Sequence, residues 1–508
     1  MGVRAGIAAA VVSMLAACSA STPTDVPTAP GASVDTVVPT VVPAVTIETA
    51  PSTAAPSSAA PSSAAPRVVR EPSTGLGDRL FPELGSADVD VITYDLRLTV
   101  PDAAGPVDAT ISIAADVDSD VDVLALDATG LDISAVRVDG DATTFEVADP
   151  ELLVDLPAGR AASVIAEIDY RFVPAERRSV VGLPVGWLPG DDRSYVLNEP
   201  DGARSWMPAN DHPSDKALWR FEITVPDDRV AIANGELRQR GDSDEPWVWV
   251  QDEPMSTYLV QLIVGDYEVI DGGTVPSGRD RPLPVMHVVP AGEQATFDAA
   301  IRGIADQVAF FEARFGQYPL DRYGLAFVED LRNLAMETQG RSLFGAGDFA
   351  GGQLGYFEQL LLSHELAHQW FGNAVSPATW SDIWLNESLT TYAQWLWLEH
   401  VGLQPLEGYA DAMLRQRQTG SGSTGEPSLD DMFGFNRYDG GAVVVHALRS
   451  TVGDEPFFEL MSRWVEEHVG TSQTTDAFIA LANEVHGSDL SAFFDVWLFA
   501  DTLPASYP

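Results

Sequence analysis

The sequence is nearly devoid of two residue types, cysteine and lysine. Cys18 is the only cysteine among 508 residues, and Lys216 is the only lysine. A single cysteine excludes an intrachain disulfide. The formal net charge is −46, from 29 basic and 75 acidic residues. This balance argues against nucleic-acid binding, which requires a basic surface, and it suits a protein that is kept soluble by its charge.

The sequence also lacks a hydrophobic run long enough to span a bilayer. The apolar stretch 7–15 that follows Arg4 is too short for a transmembrane helix. It leads into Leu15-Ala16-Ala17-Cys18, which is similar to the lipobox of bacterial lipoproteins, where the cysteine is lipidated and becomes the mature N-terminus. The alternatives are an ordinary signal peptide or a short membrane helix. We predict a lipoprotein signal peptide over 1–18 and a cell-envelope location outside the cytoplasm, with membrane anchoring through a lipid on Cys18.

A low-complexity segment follows the predicted signal peptide. Residues 19 to about 72 are mostly alanine, proline, serine and threonine. Such a composition buries too little apolar surface to offset the entropy lost on ordering. We therefore predict a disordered tether over 19–77 that holds the remaining chain away from the membrane.

The segment 78–290 has the pattern of β-strands. Most of its apolar side chains alternate with polar ones, and one stretch is continuously apolar, as expected of a buried strand. These strand-like stretches are 94–100, 133–138, 221–225 and the apolar run 258–264. Asn234-Gly235 is typical of a hairpin turn. We expect an N-terminal all-β, sandwich-like domain over 78–290.

Beyond residue 290 the apolar residues recur with the period of amphipathic helices. The predicted helices cover 294–315, 354–371, a stretch from 381–385 to about 401, 441–450 and 475–485, and one short strand covers 325–328. We expect a second, mainly helical domain over 291–508. The predicted fold class is therefore α+β and multidomain.

The helix predicted over 354–371 carries the motif His364-Glu365-Leu366-Ala367-His368. Two histidines four residues apart project from the same helical face, which suits two ligands of a tetrahedral zinc ion. Glu387, nineteen residues after His368, is a plausible third ligand. Two imidazoles and one carboxylate leave a fourth position open for water, as a catalytic site requires, and Glu365 lies where it can reach that water.

A histidine pair on a helix can also be an ordinary hydrogen-bonded feature. Here Phe357 and Leu361 continue the stripe of the two histidines, so the pair faces inward, which favours metal binding. The ligand set favours one Zn²⁺ per chain over other divalent ions. His446 lies on a different apolar helix, and we interpret it as a core histidine.

These segments resemble the aminopeptidase N-like family of gluzincins, peptidase family M1. The zinc signature over 364–373 and the segment Trp384-Leu385-Asn386-Glu387 have the family's spacing. The similarity covers roughly residues 88–504. It implies a β-rich domain packed on a thermolysin-like zinc peptidase domain that cleaves single residues from peptides with a free N-terminus.

The resemblance also implies roles for residues near position 337. Leu334-Ala335-Met336-Glu337-Thr338 is similar to the family's G-A-M-E-N segment, in which the glutamate pairs with the α-ammonium of the substrate. Glu337 takes this role, with Ala335 and Met336 beside the substrate. Leu334 and Thr338 depart from the family's glycine and asparagine.

Two further positions are implied with the same family pattern. Glu199, in a segment that runs to Ala217, is a second candidate for holding the substrate amine, while Leu197 occupies the position where the family often has glutamine. Tyr438 begins a segment similar to Y-x-K-G-A and would donate a hydrogen bond to the oxyanion. Gly440 replaces the family's lysine.

These assignments predict an aminopeptidase in which Glu365 is the general base and Tyr438 the oxyanion donor. Two alternatives remain open at this stage. A zinc endopeptidase is expected if Glu337 does not reach the cleft. A non-catalytic peptide-binding lipoprotein would have kept the fold without the chemistry.

Overall fold

The computed structural model describes residues 70–101, 105–190, 192–329, 331 and 334–508. The predicted signal peptide, Cys18 and most of the predicted tether lie outside these residues. Within the described part of the chain, no helix combines the length and the apolarity needed to cross a bilayer.

Strands make up the first half of the described chain. In sequence order they are β1 (Val89–Thr99), β2 (Val107–Val117), β3 (Val123–Asp127), β4 (Asp132–Val138), β5 (Asp141–Ala142), β6 (Phe145–Ala148), β7 (Glu151–Asp155), β8 (Ser163–Phe172), β9 (Glu176–Arg178), β10 (Pro184–Pro189), β11 (Arg193–Leu197), β12 (Lys216–Thr224), β13 (Val230–Ala233), β14 (Glu236–Gln239), β15 (Trp247–Ser256) and β16 (Leu262–Gly265). In β1 and β2 buried and more exposed side chains largely alternate, because successive side chains of a strand point to opposite faces.

These strands form three sheets around one hydrophobic core. The largest has eight strands in the order β14-β15-β12-β1-β2-β8-β4-β5, a second has five in the order β13-β16-β11-β10-β9, and a third has three in the order β3-β7-β6. Aromatic side chains fill much of the space, for example Tyr94 stacked on Trp219 at 4.1 Å. The predicted β-rich N-terminal domain is confirmed.

Two local predictions in this half need correction. Asn234 and Gly235 do form a turn, with Gly235 at φ +87°, but β13 and β14 on either side pair with β16 and β15 respectively and not with each other. The turn therefore passes the chain from one sheet to another. The predicted strand over 258–264 is only partly a strand, because Thr257–Leu259 forms a short 3-10 turn before β16.

The second half is mainly helical and contains a small mixed sheet. Its strands are β17 (Tyr267–Val275), β18 (Leu283–Pro290), β19 (Leu325–Val328), β20 (Ala335–Met336), β21 (Ser342–Gly345), β22 (Val375–Pro377) and β23 (Thr471–Gln473). Its α-helices are α1 (Gln294–Phe315), α2 (Tyr356–Ala367), α3 (Trp384–His400), α4 (Leu406–Arg417), α5 (Asp439–Val452), α6 (Asp454–His468), α7 (Thr475–His486) and α8 (Ser491–Trp497). Short 3-10 turns cover Ala203–Ser205, Ala346–Phe349, Trp380–Asp382 and Leu429–Asp431. The predicted change from strands to helices is confirmed.

One sheet crosses the predicted limit at residue 290. Its order is β17-β18-β19-β21-β20, so two strands before residue 290 pair into a sheet with three strands after it. The sheet places β20, which carries Ala335 and Met336, at its edge. Residues of this sheet contribute to both hydrophobic cores, and Met336 belongs to the β-rich one. The numerical domain limits stay a prediction.

Candidate metal centre and substrate cleft

Helix α2 carries the first part of the candidate metal centre. The helix begins after Gly355, whose backbone N–H is accepted by the Glu358 side chain at 2.9 Å, and it buries Leu361, Leu362 and Leu366. It is shorter than predicted, because residues after Ala367 turn away and His368 caps its C-terminus. The four-residue spacing survives at this end: the Nε2 atoms of His364 and His368 lie 3.1 Å apart.

Glu387, in the first turn of α3, completes the group. Its Oε2 atom lies 3.3 Å from His364 Nε2 and 3.6 Å from His368 Nε2. The three ligand atoms of these residues all lie within 4.8 Å of one another. Helix α3 is buried over almost its full length, so the carboxylate is held by a rigid element and not by a loop.

The outer nitrogens of both imidazoles are occupied, which determines what the inner ones can do. His364 Nδ1 lies 3.1 Å from Gln394 Oε1, and His368 Nδ1 lies 3.0 Å from the carbonyl oxygen of Phe371. Both partners are acceptors, so we assign the ring protons to Nδ1. Each Nε2 then presents a lone pair to the other and to Glu387 Oε2.

This arrangement fits a cation. Three lone pairs converge without a proton between them, and Glu387 Oε2 is buried with no hydrogen-bond partner among the described residues. Two imidazole nitrogens and a carboxylate oxygen match the ligand set of a catalytic zinc site, and the hydrogen bonds on Nδ1 are the outer-shell contacts that orient zinc-bound histidines.

Glu365 lies beside the converging ligands. One carboxylate oxygen of Glu365, one of Glu337 and a ring nitrogen of His368 lie within 4.8 Å of one another. Burial, together with the carboxylates of Glu337 and Glu387, raises the pKa of Glu365 well above its usual value. A carboxyl group with a raised pKa next to a metal-bound water suits proton transfer.

Glu337 also reaches this cleft, on the loop after β20. Its Oε1 atom is 3.9 Å from His368 Nδ1 and has no hydrogen-bond partner among the described residues. Burial and the charge of Glu387 raise the pKa of Glu337 to about 8. Its backbone carbonyl accepts hydrogen bonds from Gln369 Nε2 at 3.1 Å and Asn373 Nδ2 at 2.6 Å. One carboxylate oxygen of Glu337 is thus unpaired while the backbone of this residue is fixed.

Tyr438 and Glu199 face the same cleft. Tyr438 precedes α5, and its ring stacks against His364 with centroids 5.9 Å apart and planes 28° from parallel. Glu199 has a buried Oε1 atom without a partner among the described residues. Burial raises the pKa of both groups, and the carboxylates of Glu337, Glu365 and Glu387 raise each of them further.

The fold therefore brings the three metal ligands, Glu365, Glu337, Glu199 and Tyr438 to one place, whereas Met336 and Ala335 on the neighbouring sheet edge pack against the two hydrophobic cores. Four of the site residues are carboxylates. Burial raises the pKa of Glu199, Glu337 and Glu365, and repulsion from the neighbouring carboxylates raises it further. A divalent cation and a substrate ammonium group are the charges that would relieve this repulsion. His446 lies elsewhere, with Nδ1 3.1 Å from the Tyr392 hydroxyl, in keeping with its interpretation as a core histidine.

Several contributing residues escaped the sequence-based analysis. Gln394 orients His364, and it lies seven residues after Glu387, which is two helical turns along the same face. Gln369 and Asn373 belong to the zinc signature, yet their function as anchors of the Glu337 backbone requires the fold. The seven-residue spacing from Glu387 along α3 could have identified Gln394 from the sequence. No sequence pattern indicates that Gln369 and Asn373 bind the backbone of Glu337.

The departures from the family pattern have local explanations at two positions. Thr338 is buried, and its hydroxyl accepts a hydrogen bond from Gln261 Nε2 at 2.8 Å, so it helps to hold the Glu337 loop on the β-rich domain. At Gly440 an added Cβ would lie 2.9 Å from the carbonyl oxygen of Phe435 and 3.1 Å from Arg417 Cδ. Arg417 thus occupies the space beside the position of the family's lysine.

Comparison with protein families gives two matches. Residues 300–497 match the Peptidase family M1 domain, and residues 91–259 match the Peptidase M1 N-terminal domain. The two matches follow each other in the order of the two halves of the fold.

Curated relatives carry aminopeptidase names. "Probable aminopeptidase 1" of Sulfurisphaera tokodaii is 26% identical over 401 residues, which is 75% of this chain and 50% of that protein. "Leucyl aminopeptidase" of Saccharolobus solfataricus is 27% identical over 413 residues, with 75% and 50% covered. The chain therefore spans about half the length of the curated relatives it matches.

Solved structures of similar length also match. An M1 zinc metallopeptidase from Deinococcus radiodurans has a TM-score of 0.74 and 29% identity, covering 85% of this chain and 99% of that one. A variant of the M1 zinc metallopeptidase from the same organism, bound to a Tyr-Ser-Ala substrate, has a TM-score of 0.76 and 28% identity, with the same coverage.

Proposed function

The chain belongs to peptidase family M1 as a two-domain member, and from this premise we propose that it is a zinc aminopeptidase. Its substrates are peptides with a free N-terminus, from which it releases the first residue by hydrolysis. One zinc ion per chain is held by His364, His368 and Glu387.

One observation carries the proposal. Beside the three metal ligands, Glu337 places a buried carboxylate oxygen without a partner among the described residues, 3.9 Å from a ring nitrogen of His368. A fixed carboxylate at a set distance from the metal accepts the α-ammonium group of a peptide and leaves room for one residue before the scissile bond. Glu199 adds a second carboxylate for the same ammonium group.

The residues divide the chemistry among them. His364, His368 and Glu387 would hold a zinc ion, which would polarise the scissile carbonyl and lower the pKa of the attacking water. Glu365 accepts the proton of the attacking water and later delivers it to the leaving amine. The Tyr438 hydroxyl donates a hydrogen bond to the developing oxyanion, an interaction that typically contributes about 3 kcal/mol to transition-state stabilisation.

Blocking the α-amine tests the function directly. The purified, zinc-loaded protein is given one tripeptide with a free N-terminus and the same tripeptide with an acetylated N-terminus, each with and without a chelator. We expect release of the first residue from the free peptide only, and no release after zinc removal. Equal cleavage of the acetylated peptide would identify an endopeptidase, and no cleavage of either peptide by zinc-loaded protein would favour a binding protein.

We further propose that the chain is a lipoprotein of the cell envelope. The support is the tetrapeptide ending at Cys18, the absence of any other cysteine and the Ala/Pro/Ser/Thr-rich segment behind it. Expression in a bacterium, metabolic labelling with a fatty-acid analogue and membrane fractionation test this. The label and the membrane association should both be lost in Cys18→Ser, and a labelled Cys18→Ser variant would contradict the proposal.

A further inference from the structure

The chain's only lysine lies at the junction between the β-rich domain and the metal centre. Lys216 is the first residue of β12, and its Nζ atom donates to the backbone carbonyl of Asn373 at 2.8 Å and lies 3.4 Å from that of Ala374. No carboxylate of the described residues forms an ion pair with it. Burial lowers the pKa of the Lys216 amine to about 7.

Burying an amine without an ion-pair partner costs stability, which indicates that the position of the Lys216 side chain serves another purpose. In a chain with 28 arginines and 75 acidic residues, a partly buried lysine that contacts only carbonyl oxygens gains no ion-pair energy to offset its desolvation. Its two acceptors belong to consecutive residues directly after Gly372, in the turn that follows the metal helix. Lys216 therefore fixes the backbone of this turn from the other domain.

The same turn also contacts the backbone of Glu337, the residue proposed to bind the substrate amine. The backbone carbonyl of Asn373 accepts a hydrogen bond from Lys216 Nζ, and the side-chain Nδ2 of Asn373 donates to the carbonyl of Glu337 at 2.6 Å. Its own N–H donates to the carbonyl of His368 at 3.0 Å. One residue thus joins the lysine, the Glu337 backbone and a metal ligand.

We propose that Lys216 is a positioning residue that sets the distance between the Glu337 carboxylate and the metal centre, acting through Asn373. It touches neither substrate nor metal. The inference rests on the proposed function, since it concerns recognition of a free N-terminus. It predicts that loss of the lysine weakens amine recognition selectively, while metal binding and binding of groups to the metal stay intact.

Two inhibitors that differ only in the α-amino group measure this recognition. Leucine hydroxamate carries the amine, and its des-amino analogue 4-methylpentanohydroxamic acid lacks it, while both present the same metal-binding group. The ratio of their inhibition constants isolates the contribution of the amine. It is measured on the zinc-loaded full chain of the wild type, Lys216→Met and the charge-matched control Arg220→Met, which removes a half-buried cation of the same strand that is paired with Asp95 and Glu222 and does not contact Asn373.

In Lys216→Met we expect the ratio to fall about tenfold, because misplacement of Glu337 by a fraction of an ångström to about 1 Å is enough to weaken its ion pair. The des-amino inhibitor should bind as to the wild type, zinc content should stay stoichiometric, and Arg220→Met should keep the wild-type ratio. A lower melting temperature with an unchanged ratio would assign Lys216 a purely structural role and overturn the inference. Equal weakening of both inhibitors would overturn it too, since it would place the effect on the metal.

A second variant keeps the test decisive if Lys216→Met does not fold. Lys216→Gln places a neutral hydrogen-bond donor on a side chain that is one bond shorter. The protein then buries a polar amide at this position, but the contact with the carbonyl of Asn373 is not reproduced. The ratio should again fall, and a wild-type ratio in Lys216→Gln would contradict the inference. A wild-type enzyme that does not distinguish the two inhibitors would instead contradict the proposed aminopeptidase function itself.

Discussion

At the scale of single residues, the metal centre depends on where each imidazole carries its proton. The side-chain oxygen of Gln394, 3.1 Å from His364 Nδ1, keeps the lone pair of His364 Nε2 directed at the metal position. Gln394 on α3 thereby orients the ligand His364 on α2, and the backbone carbonyl of Phe371 orients His368 in the same way.

We therefore predict that Gln394→Leu lowers zinc affinity by about ten- to a hundredfold, the usual effect of removing an outer-shell partner. Competition with a chromogenic zinc chelator measures the affinity. Gln394→Glu, which keeps an acceptor at this position, should retain tight binding. Wild-type affinity in the leucine variant would show that His364 is oriented by packing alone.

Glu365 gives a prediction of a different kind, because it is expected to act on protons and not on the metal. Glu365→Gln keeps the shape of the side chain but cannot accept the proton of the water. We predict a fall in kcat of at least about a thousandfold, with one zinc per chain still found by metal analysis. Activity close to that of the wild type would exclude Glu365 as the general base.

At the scale of elements, the close approach of α5 to α3 holds Tyr438 against the metal ligands. Gly441, in the first turn of α5, makes this approach possible. An added Cβ there would lie 2.7 Å from the Cβ of Ser388, the residue that follows Glu387, and 3.2 Å from the carbonyl of Asn436. Ser388 also donates to the carbonyl of Arg437 at 2.7 Å, so neither helix can shift without disturbing the other.

Gly441→Ala should therefore destabilise the protein by about 1–3 kcal/mol, as overpacking typically does, and should also weaken zinc binding. Gly408→Ala is the matched control, because Gly408 is an exposed glycine in α4 whose added Cβ meets only Pro405 at 3.9 Å. That variant should be stabilised by roughly 0.5–1 kcal/mol. Chemical denaturation of both proteins measures the difference, and equal stability would mean that the two helices separate easily.

The elements also show how far sequence patterns reach. The helix over 294–315 and the strand over 325–328 were predictable to the residue, because each has a strong period and a clear boundary. Asn234-Gly235 predicts a hairpin that does not form, because the strands on either side of this tight turn join different sheets. Turn chemistry fixes the local backbone, whereas the partner of a strand is decided by distant residues.

The candidate site divides in the same way. His364, Glu365 and His368 lie within one helical turn, so their convergence follows from local geometry. The contact of Lys216 with the carbonyl of Asn373 joins positions 157 residues apart, and no local period encodes it. Family resemblance supplied the distant positions 199, 337 and 438, which the structure brings to the same cleft.

At the scale of the whole molecule, acidic residues are both abundant and buried. Away from the metal centre, burial raises the pKa of Asp215 to about 7, of Asp211 to about 6 and of Glu151 to about 7. Each folded-state pKa exceeds the unfolded value near 4. Each such group therefore stabilises the folded state most at pH values below its unfolded pKa, and this contribution is lost as the pH rises through its folded pKa. The net charge of −46 acts in the same direction, since deprotonation increases self-repulsion.

Raising the pH from 5.5 to 8 should therefore lower the free energy of unfolding, by on the order of 2 kcal/mol, and calorimetry of the zinc-loaded protein measures this. The two causes separate by salt. Surface repulsion is screened by 1 M NaCl, where the Debye length is about 3 Å, whereas a buried carboxylate such as Asp215 is screened far less. Salt should thus raise the melting temperature and reduce only part of its pH dependence, while Asp215→Asn should reduce the part that salt leaves. If salt alone abolished the pH dependence, the net charge and not the buried acids would control stability, and Asp215→Asn would then follow the wild type at every pH.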